Sequence, residues 1–524
     1  MLAKHYHKGG SPSRQKPPVK ELLAAIENFL ATCKRPAVLE HGDAAIPLIS
    51  GAYSLEIRNE TIHLSAWPDD RSFNRRLLSI EAKMPGAMEC IVQRFAGATA
   101  KLNLLDLDHP RAAARLLRGG RRTFAESFRR MLARQFPGWE IRSLSTEMSL
   151  QHSFSPVYPR ALLERGTQRI AAMACQTITD ERGFLSFALL WHHYLCGRAG
   201  NRRQIPLALF LPDGAGSTTA LRLRWLELKC RIFRFNAHGS AGEVDVRDLG
   251  NLDTHLPRRS GPAELDPDLL AFVRRLENKY GVECLEEPDR SLSLRCSGLA
   301  FGRIVERNLY CGLGEKDDHS LSTFQEAELL AAHLTLLRNS KTSDRTQPLY
   351  RAHPERWLES AVRRNPEIID ATLEGQPLLG QVITFAGCDR DIIDLMGASA
   401  KGRVAILELK ASEDIHLPLQ ALDYWMRADW HVRSGDLDSF FPGIPLQRKS
   451  PKLLLVAPGV RFHSSNEVVI SYFSPQIETE RVGLNLEWQQ GLKVVFRLCG
   501  AEQPQAHGVR DERHHQYSPG SSKP

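Results

Sequence analysis

No apolar run in the 524 residues reaches the ~18 needed to cross a bilayer, and the opening stretch MLAKHYHKGGSPSRQKPPVK lacks the apolar centre of a signal peptide. A cytoplasmic protein without a membrane partner is therefore expected. The ten cysteines stand singly between Cys33 and Cys499, with no CxxC pair and no regular spacing. That pattern excludes a disulfide framework and a cysteine-ligated zinc site, and leaves the thiols expected in the interior. Charge of one sign is also scarce: a net charge of +8 permits a nucleic-acid partner without demanding one. There is no repeat of solenoid length, no dinucleotide fingerprint and no nucleophile triad. At 42% hydrophobic and 25% charged the chain is an ordinary globular one, too long for a single core, so about three or four domains are expected.

The pattern along the chain divides it. Residues 1–18 and 501–524 are rich in Gly, Pro, Ser, His and Lys without apolar periodicity and read as disordered tails. A helix over Val19 to Cys33 and short alternating runs (AYSLEIRN, TIHLSAW, LLSIEAK, ECIVQRF, KLNLLDL) predict a small β-rich module over 19–108. From Pro110 the period turns helical, and Arg111, Arg115, Arg118 and Arg122 recur along one face ahead of a second helix, TFAESFRRMLARQFPGW. Such a stripe suits a nucleic-acid backbone, although a solvated charged face has the same pattern. Strands (WEIRSLS, QRIAAMACQ, PLALFLP, CRIFRFN) then alternate with helices (GFLSFALLWHHYLCG, STTALRLRWL), giving an α/β domain over 109–250. The linker-like RRSGPAELDPD and a mixed segment make 251–345 an α+β domain, and the break NSKTSDRTQP leaves 351–500 as the last domain.

The chemistry concentrates there. Pro354 suits the first position of a helix, Leu358, Ala361 and Val362 form its apolar stripe with Glu359 alongside, and Asn365-Pro366 ends it. Two apolar strands, DIIDLM and VAILELK, follow, joined by GASAKG. If Ala400, Lys401 and Gly402 form a three-residue loop with the glycine left-handed, Asp394 falls opposite Glu408. Two carboxylates so placed repel each other unless a cation lies between them. Lys410, two residues beyond Glu408, shares its face, whereas Asp391 points to the other side. Hard oxygen ligands without nearby histidine or cysteine favour Mg²⁺ or Mn²⁺. Asp394, Glu408 and Glu359 are the expected metal ligands, and Lys410 would orient water or neutralise the transition state. On the next helix, PLQALDYWMRADW, Gln420 and Tyr424 lie one turn apart as supporting residues.

The order of ERWLESAVRRNPEIID, GCDRDIIDLMG, VAILELK and LQALDYW resembles the PD-(D/E)XK nuclease superfamily, in its NucS-like form, over about 150 residues. The proline that often precedes the aspartate is replaced by Ile393. The resemblance implies a restriction-endonuclease-like αβββαβ core and a metal-dependent endonuclease acting on DNA in repair or defence. It carries the catalytic role to Glu359, Asp394, Glu408 and Lys410. RNA as substrate and a homodimer are left open, as is a catalytically inactive relative that binds nucleic acid or scaffolds. The resemblance does not reach the first 345 residues. Overall the fold class expected is multidomain α/β: a β-rich module, then α/β and α+β domains, then the nuclease-like core.

Other signals are weaker. Two more ExK triplets, Glu81-Ala82-Lys83 and Glu227-Leu228-Lys229, lack the flanking elements, and the second falls in a run of helical character. Asp213 to Thr218 has the setting of a phosphate cradle but reads as a helix-capping turn. His192, His193 and Cys196 read as core. Residues 123–237 run helix, strands, helix, strand, the coarse order of the last domain, and are expected to be a degenerate copy whose third strand, QRIAAMACQ, has no ExK.

Overall fold

A computed structural model describes residues 18–502 apart from 41–45, 59, 67–72, 94–98, 110–111, 199–204, 237, 248–253, 257–264, 288–289, 314–319, 374, 377 and 387–388. Side chains at 40, 112–120, 122–123, 179, 381, 383–386 and 389–392 are likewise undescribed. Among the described residues the molecule is a multidomain mixture of helices and four sheets. Apart from Pro18, Ala501 and Glu502, the expected tails lie outside the described residues. Among the described residues no helix is long and apolar enough to cross a membrane.

In the first unit α1 (Val19–Thr32) puts Leu22, Ile26 and Leu30, spaced at helical period, onto one face of an antiparallel sheet. Its strands are β1 (Pro36–Glu40), β2 (Ile46–Pro47), β3 (Tyr53–Arg58), β4 (Thr61–Ala66), β5 (Phe73–Met84), β6 (Ala87–Gln93) and β7 (Thr99–Asp106), ordered β2-β1-β7-β6-β5-β4-β3.

The second unit begins with α2 (Ala112–Gln135), one continuous helix where the sequence suggested an arginine-striped segment followed by a separate helix. Arg115, Arg118 and Arg122 lie on it, but their side chains, and Arg111 entirely, fall outside the described residues. Then come β8 (Glu140–Ser145), β9 (Arg160–Arg165), β10 (Gln168–Ala174), α3 (Glu181–Arg198), β11 (Leu207–Pro212), α4 (Ser217–Leu223), β12 (Cys230–Phe235) and β13 (Ala241–Val244), in a sheet ordered β13-β12-β11-β10-β9-β8. The segment 226–229 is a bridge residue followed by irregular chain leading into β12, not the continuation of a helix.

After β14 (Thr254–His255), the third unit packs α5 (Pro267–Tyr280) and α6 (Phe324–Leu337) on an antiparallel meander. Its strands are β15 (Glu283–Glu286), β16 (Leu292–Cys296), β17 (Leu299–Val305), β18 (Asn308–Cys311) and β19 (Ser320–Leu321). The last unit comprises α7 (Pro348–Arg351), α8 (Pro354–Arg364), α9 (Pro366–Ile369), β20 (Leu379–Ala386), β21 (Asp389–Ala398), β22 (Val404–Leu409), α10 (Leu417–Ser434), β23 (Lys452–Pro458), α11 (Asn466–Ile470), β24 (Thr479–Leu484) and β25 (Val494–Cys499). Its sheet runs in sequence order from β20 to β25, and β14 extends it beside β20, so the chain touches this sheet before the third unit is built. Trp357, Leu358 and Val362 seat α8 on one face of the sheet, and α10 covers the other.

The cysteines follow their surroundings only in part. Cys90, Cys175, Cys196, Cys296 and Cys311 are buried, but Cys499 is exposed, on a strand where the burial alternates.

Candidate active site

The hairpin sets the geometry. Gly402 has φ +83°, a left-handed conformation that a side chain resists, and an added Cβ would lie 1.9 Å from the Pro445 carbonyl oxygen. Gly402 N–H donates to Ser399 O and Ser399 N–H to Arg403 O, closing the loop over 400–402. The strands then pair Ala398 with Val404 and Leu395 with Leu407, a register whose next step sets Asp394 opposite Glu408. At that step the ladder ends. Asp394 Oδ2 instead accepts from Leu409 N–H at 3.1 Å, and β22 carries on against β23, pairing Glu408 with Leu455 and Leu409 with Val456. The parting of β21 from β22 leaves a notch, and the strand's period of two sends Glu408 and Lys410 to the same side of it. Asp391 pairs with Thr384 in the neighbouring ladder; its side chain lies outside the described residues.

The electrostatics of this notch are adverse to its own charges. Burial pushes the Asp394 carboxyl up to about 6, against the pull of Lys410 and of the Leu409 N–H, while Glu359 and Glu355 push it the same way as burial. Glu408 is only 1% exposed, and burial, then Asp394, raise its pKa well above the usual carboxylate range against the pull of Lys410. Lys410 Nζ lies 3.3 Å from Glu408 Oε1 and 3.9 Å from Asp414 Oδ2. Burial opposes its charge, but Glu408, Glu355, Asp414 and Asp394 together hold the ammonium above its ordinary value. The second carboxylate oxygen of Glu408 is buried and has no hydrogen-bond partner among the described residues. A carboxyl oxygen left unsatisfied in such a place is costly, and its charged form more so unless something positive meets it.

The helix carboxylate Glu359 acts on Asp394 through its charge but is itself ion-paired. Glu359 is buried and held between two arginines, 3.0 Å from Arg356 Nη1 and 2.5 Å from Arg363 Nη2. Room for this cluster comes from Gly380, where an added Cβ would meet Arg363 Nη2 at 1.6 Å and Glu359 Oε1 at 2.8 Å. Glu355, one turn earlier on α8 and exposed, is the carboxylate whose field reaches Asp394, Glu408 and Lys410 alike. The sequence reading passed it over. The available signal was its position four residues before Glu359, on the same helical face and immediately after Pro354.

Gln420 and Tyr424 do lie one turn apart on α10, and Gln420 Nε2 donates to Tyr424 Oη at 3.1 Å. Tyr424 is itself buried in the core shared with the second unit. Among the described residues no group of three or more His, Cys, Asp and Glu side chains is gathered closely enough to hold a metal ion. What the notch offers is narrower: two adjoining carboxylates, one with an orphaned oxygen, and a lysine beside them, with Glu355 on α8 acting on all three through its charge. Oxygen-only donors of this kind fit a hard divalent cation that keeps several waters.

The other sequence signals resolve without chemistry. The turn at Asp213 leads into α4, where Glu181 Oε1 accepts from Thr219 N–H and Oγ1 at 3.0 Å and so occupies the place of an anion. His192 bridges Tyr472 Oη and Ile205 O at 2.7 Å each, a core histidine. Glu81-Ala82-Lys83 lies on β5, with no helix carboxylate beside it in the sequence.

No protein-family model matches this sequence, and no curated protein sequence does.

Proposed function

We propose that the last unit is a divalent-metal-dependent nuclease centre that hydrolyses phosphodiester bonds, with DNA as substrate. The observation that carries the reading is Glu408: a nearly inaccessible carboxylate beside Asp394, with one oxygen unsatisfied and a lysine at its other oxygen. The order helix, three strands, helix, strand, with acidic residues where the second and third strands part, supports a restriction-endonuclease-like core. Mg²⁺ or Mn²⁺ bound here supplies a Lewis acid that makes water a stronger nucleophile and offsets charge on the phosphate.

Asp394 and Glu408 would hold that ion, and Glu355 on the exposed end of α8 adds its negative charge to the site. Lys410, kept protonated by the surrounding carboxylates, places a fixed positive charge at the reacting phosphate and can orient the attacking water. Glu359 acts one step back, positioning Arg356 and Arg363. A role for Arg111, Arg115, Arg118 and Arg122 at the DNA backbone rests on their sequence spacing.

The test is incubation of purified protein with labelled duplex, single-stranded, branched and mismatched DNA, and with RNA, in Mg²⁺ or Mn²⁺. Cleavage is expected to stop in excess EDTA and to return with Mn²⁺. Undiminished cutting in the chelator would contradict the reading.

A further inference from the structure

The second and last units have the same topology. In both, three strands run antiparallel in succession (β8, β9, β10; β20, β21, β22). A helix (α3; α10) then leads to a parallel strand (β11; β23), a short helix (α4; α11) leads to a second parallel strand (β12; β24), and an antiparallel strand closes the sheet (β13; β25). A helix precedes each set: α2 packs Phe128, Met131 and Leu132 on its sheet as α8 packs Leu358 and Val362.

The registers superimpose. Ala171 pairs with Leu207 as Ile406 pairs with Leu453, and Cys175 N–H donates to Phe210 O as Lys410 N–H donates to Val456 O. On this alignment Met173 stands at the place of Glu408 and Cys175 at that of Lys410. Arg160, paired with Met173, stands at the place of Asp394. All three are buried, and the guanidinium of Arg160 lies 4.6 Å from the centre of the Phe154 ring while donating to Glu147 O. The position that carries two carboxylates and a lysine in one unit carries an arginine, a methionine and a cysteine in the other.

The two units also meet reciprocally. Helix α3 packs on α11, and α10 on α4. Just beyond α4 and α11 the chain forms an antiparallel bridge, Leu226 with Phe473, in which Glu227 N–H donates to Tyr472 O and Ser474 N–H to Trp225 O. Trp225 and Trp425 meet edge to face, Arg222 and Asp423 form a buried two-pronged ion pair at 2.8 Å, and one apolar core runs through both units. Matched elements making matched contacts are the mark of a twofold interface.

We infer that the chain is an intramolecular pseudo-dimer with one competent and one inert centre, and that it nicks duplex DNA, one strand per engagement. This rests on the nuclease reading of the last unit. A pseudo-twofold pair of lobes matches the twofold relation of the two strands of a duplex, yet only the lobe with Asp394 and Glu408 can act. At that lobe a water oxygen forms a bond to phosphorus, one bridging P–O ester bond breaks, and the water's proton passes to solvent while the departing oxygen is protonated. The helical face of the last unit is already covered by the second, so no second copy is needed there.

The experiment follows sub-stoichiometric full-length protein acting on supercoiled plasmid in Mn²⁺. Open circles are expected to accumulate nearly to completion before linear plasmid appears, at a rate proportional to chain concentration. Cys175→Ala is expected to leave that rate unchanged, and Glu408→Gln to abolish it. Linear product formed without a lag, or a rate rising with the square of chain concentration, overturns the one-centre inference and leaves the nuclease reading intact. Cleavage of no substrate in the full nucleic-acid panel overturns both.

Discussion

The second and last units place opposite demands on the same scaffold. At the paired positions where β9 and β10 hold Arg160 and Met173, the second unit surrounds one guanidinium with aromatic rings and a backbone acceptor, although its Nη1 is buried without a partner among the described residues. The last unit sets Asp394 and Glu408 there, raises both pKa values, and leaves a carboxylate oxygen unpaired. Both lobes leave a buried polar atom unpaired among the described residues, but only the last unit sets two carboxyl groups side by side, so that each raises the cost of ionising its neighbour.

Substitutions sharpen this contrast. The largest effect is expected at Glu408→Gln, which should cut cleavage about 10³-fold, measured as single-turnover rates on whichever substrate the wild type cuts best. Its metal-free melting temperature should stay equal or rise, because a buried repulsion is removed; a variant that is inactive because it unfolds would break the contrast. Lys410→Met should lose about 10²-fold in rate with little change in Mn²⁺ affinity, a split that rate and binding measurements separate.

The two glutamates of α8 should fail differently. Glu355→Gln is expected to weaken Mn²⁺ binding about tenfold at unchanged stability. Glu359→Gln leaves Arg356 and the buried Arg363 without their carboxylate and should cost about 3 kcal/mol in denaturant unfolding. Loss of Mn²⁺ affinity in Glu359→Gln with none in Glu355→Gln would return the ligand role to Glu359.

The hairpin was legible because one residue settles it: only Gly402 tolerates the left-handed turn, and its place dictates which carboxylates face each other. Glu355 was not. At the first turn of a helix it looks like an ordinary acidic residue near the helix dipole, whereas Glu359 sits beside an apolar stripe and draws attention. The order of elements in the second unit was readable, but β9 was hidden: RALLER begins and ends in charge, although Arg160 and Leu163 are buried. The correspondence of Met173 with Glu408 leaves no trace in residue type. It emerges from strand register, which depends on partners far away in the chain.

The smallest expected effect is on pH dependence. Asp394 titrates near 6 in the folded chain against an ordinary 3.8, so the folded state holds this proton more tightly than the unfolded one. The stability this provides is complete below the ordinary value and is lost as pH rises through about 6. Glu408 acts in the same direction. Metal-free melting temperatures should therefore fall across this range more steeply in the wild type than in Asp394→Asn, and saturating Mn²⁺ should remove most of the difference. Parallel pH profiles would contradict the assigned shift.

The most direct measurement is calorimetric titration of metal-free protein with Mn²⁺, which needs no knowledge of the substrate. Wild type and Cys175→Ala should show the same saturable binding with proton release, and Glu408→Gln should show none. Binding by Glu408→Gln as tight as that of the wild type would contradict a metal centre at the parting of β21 and β22.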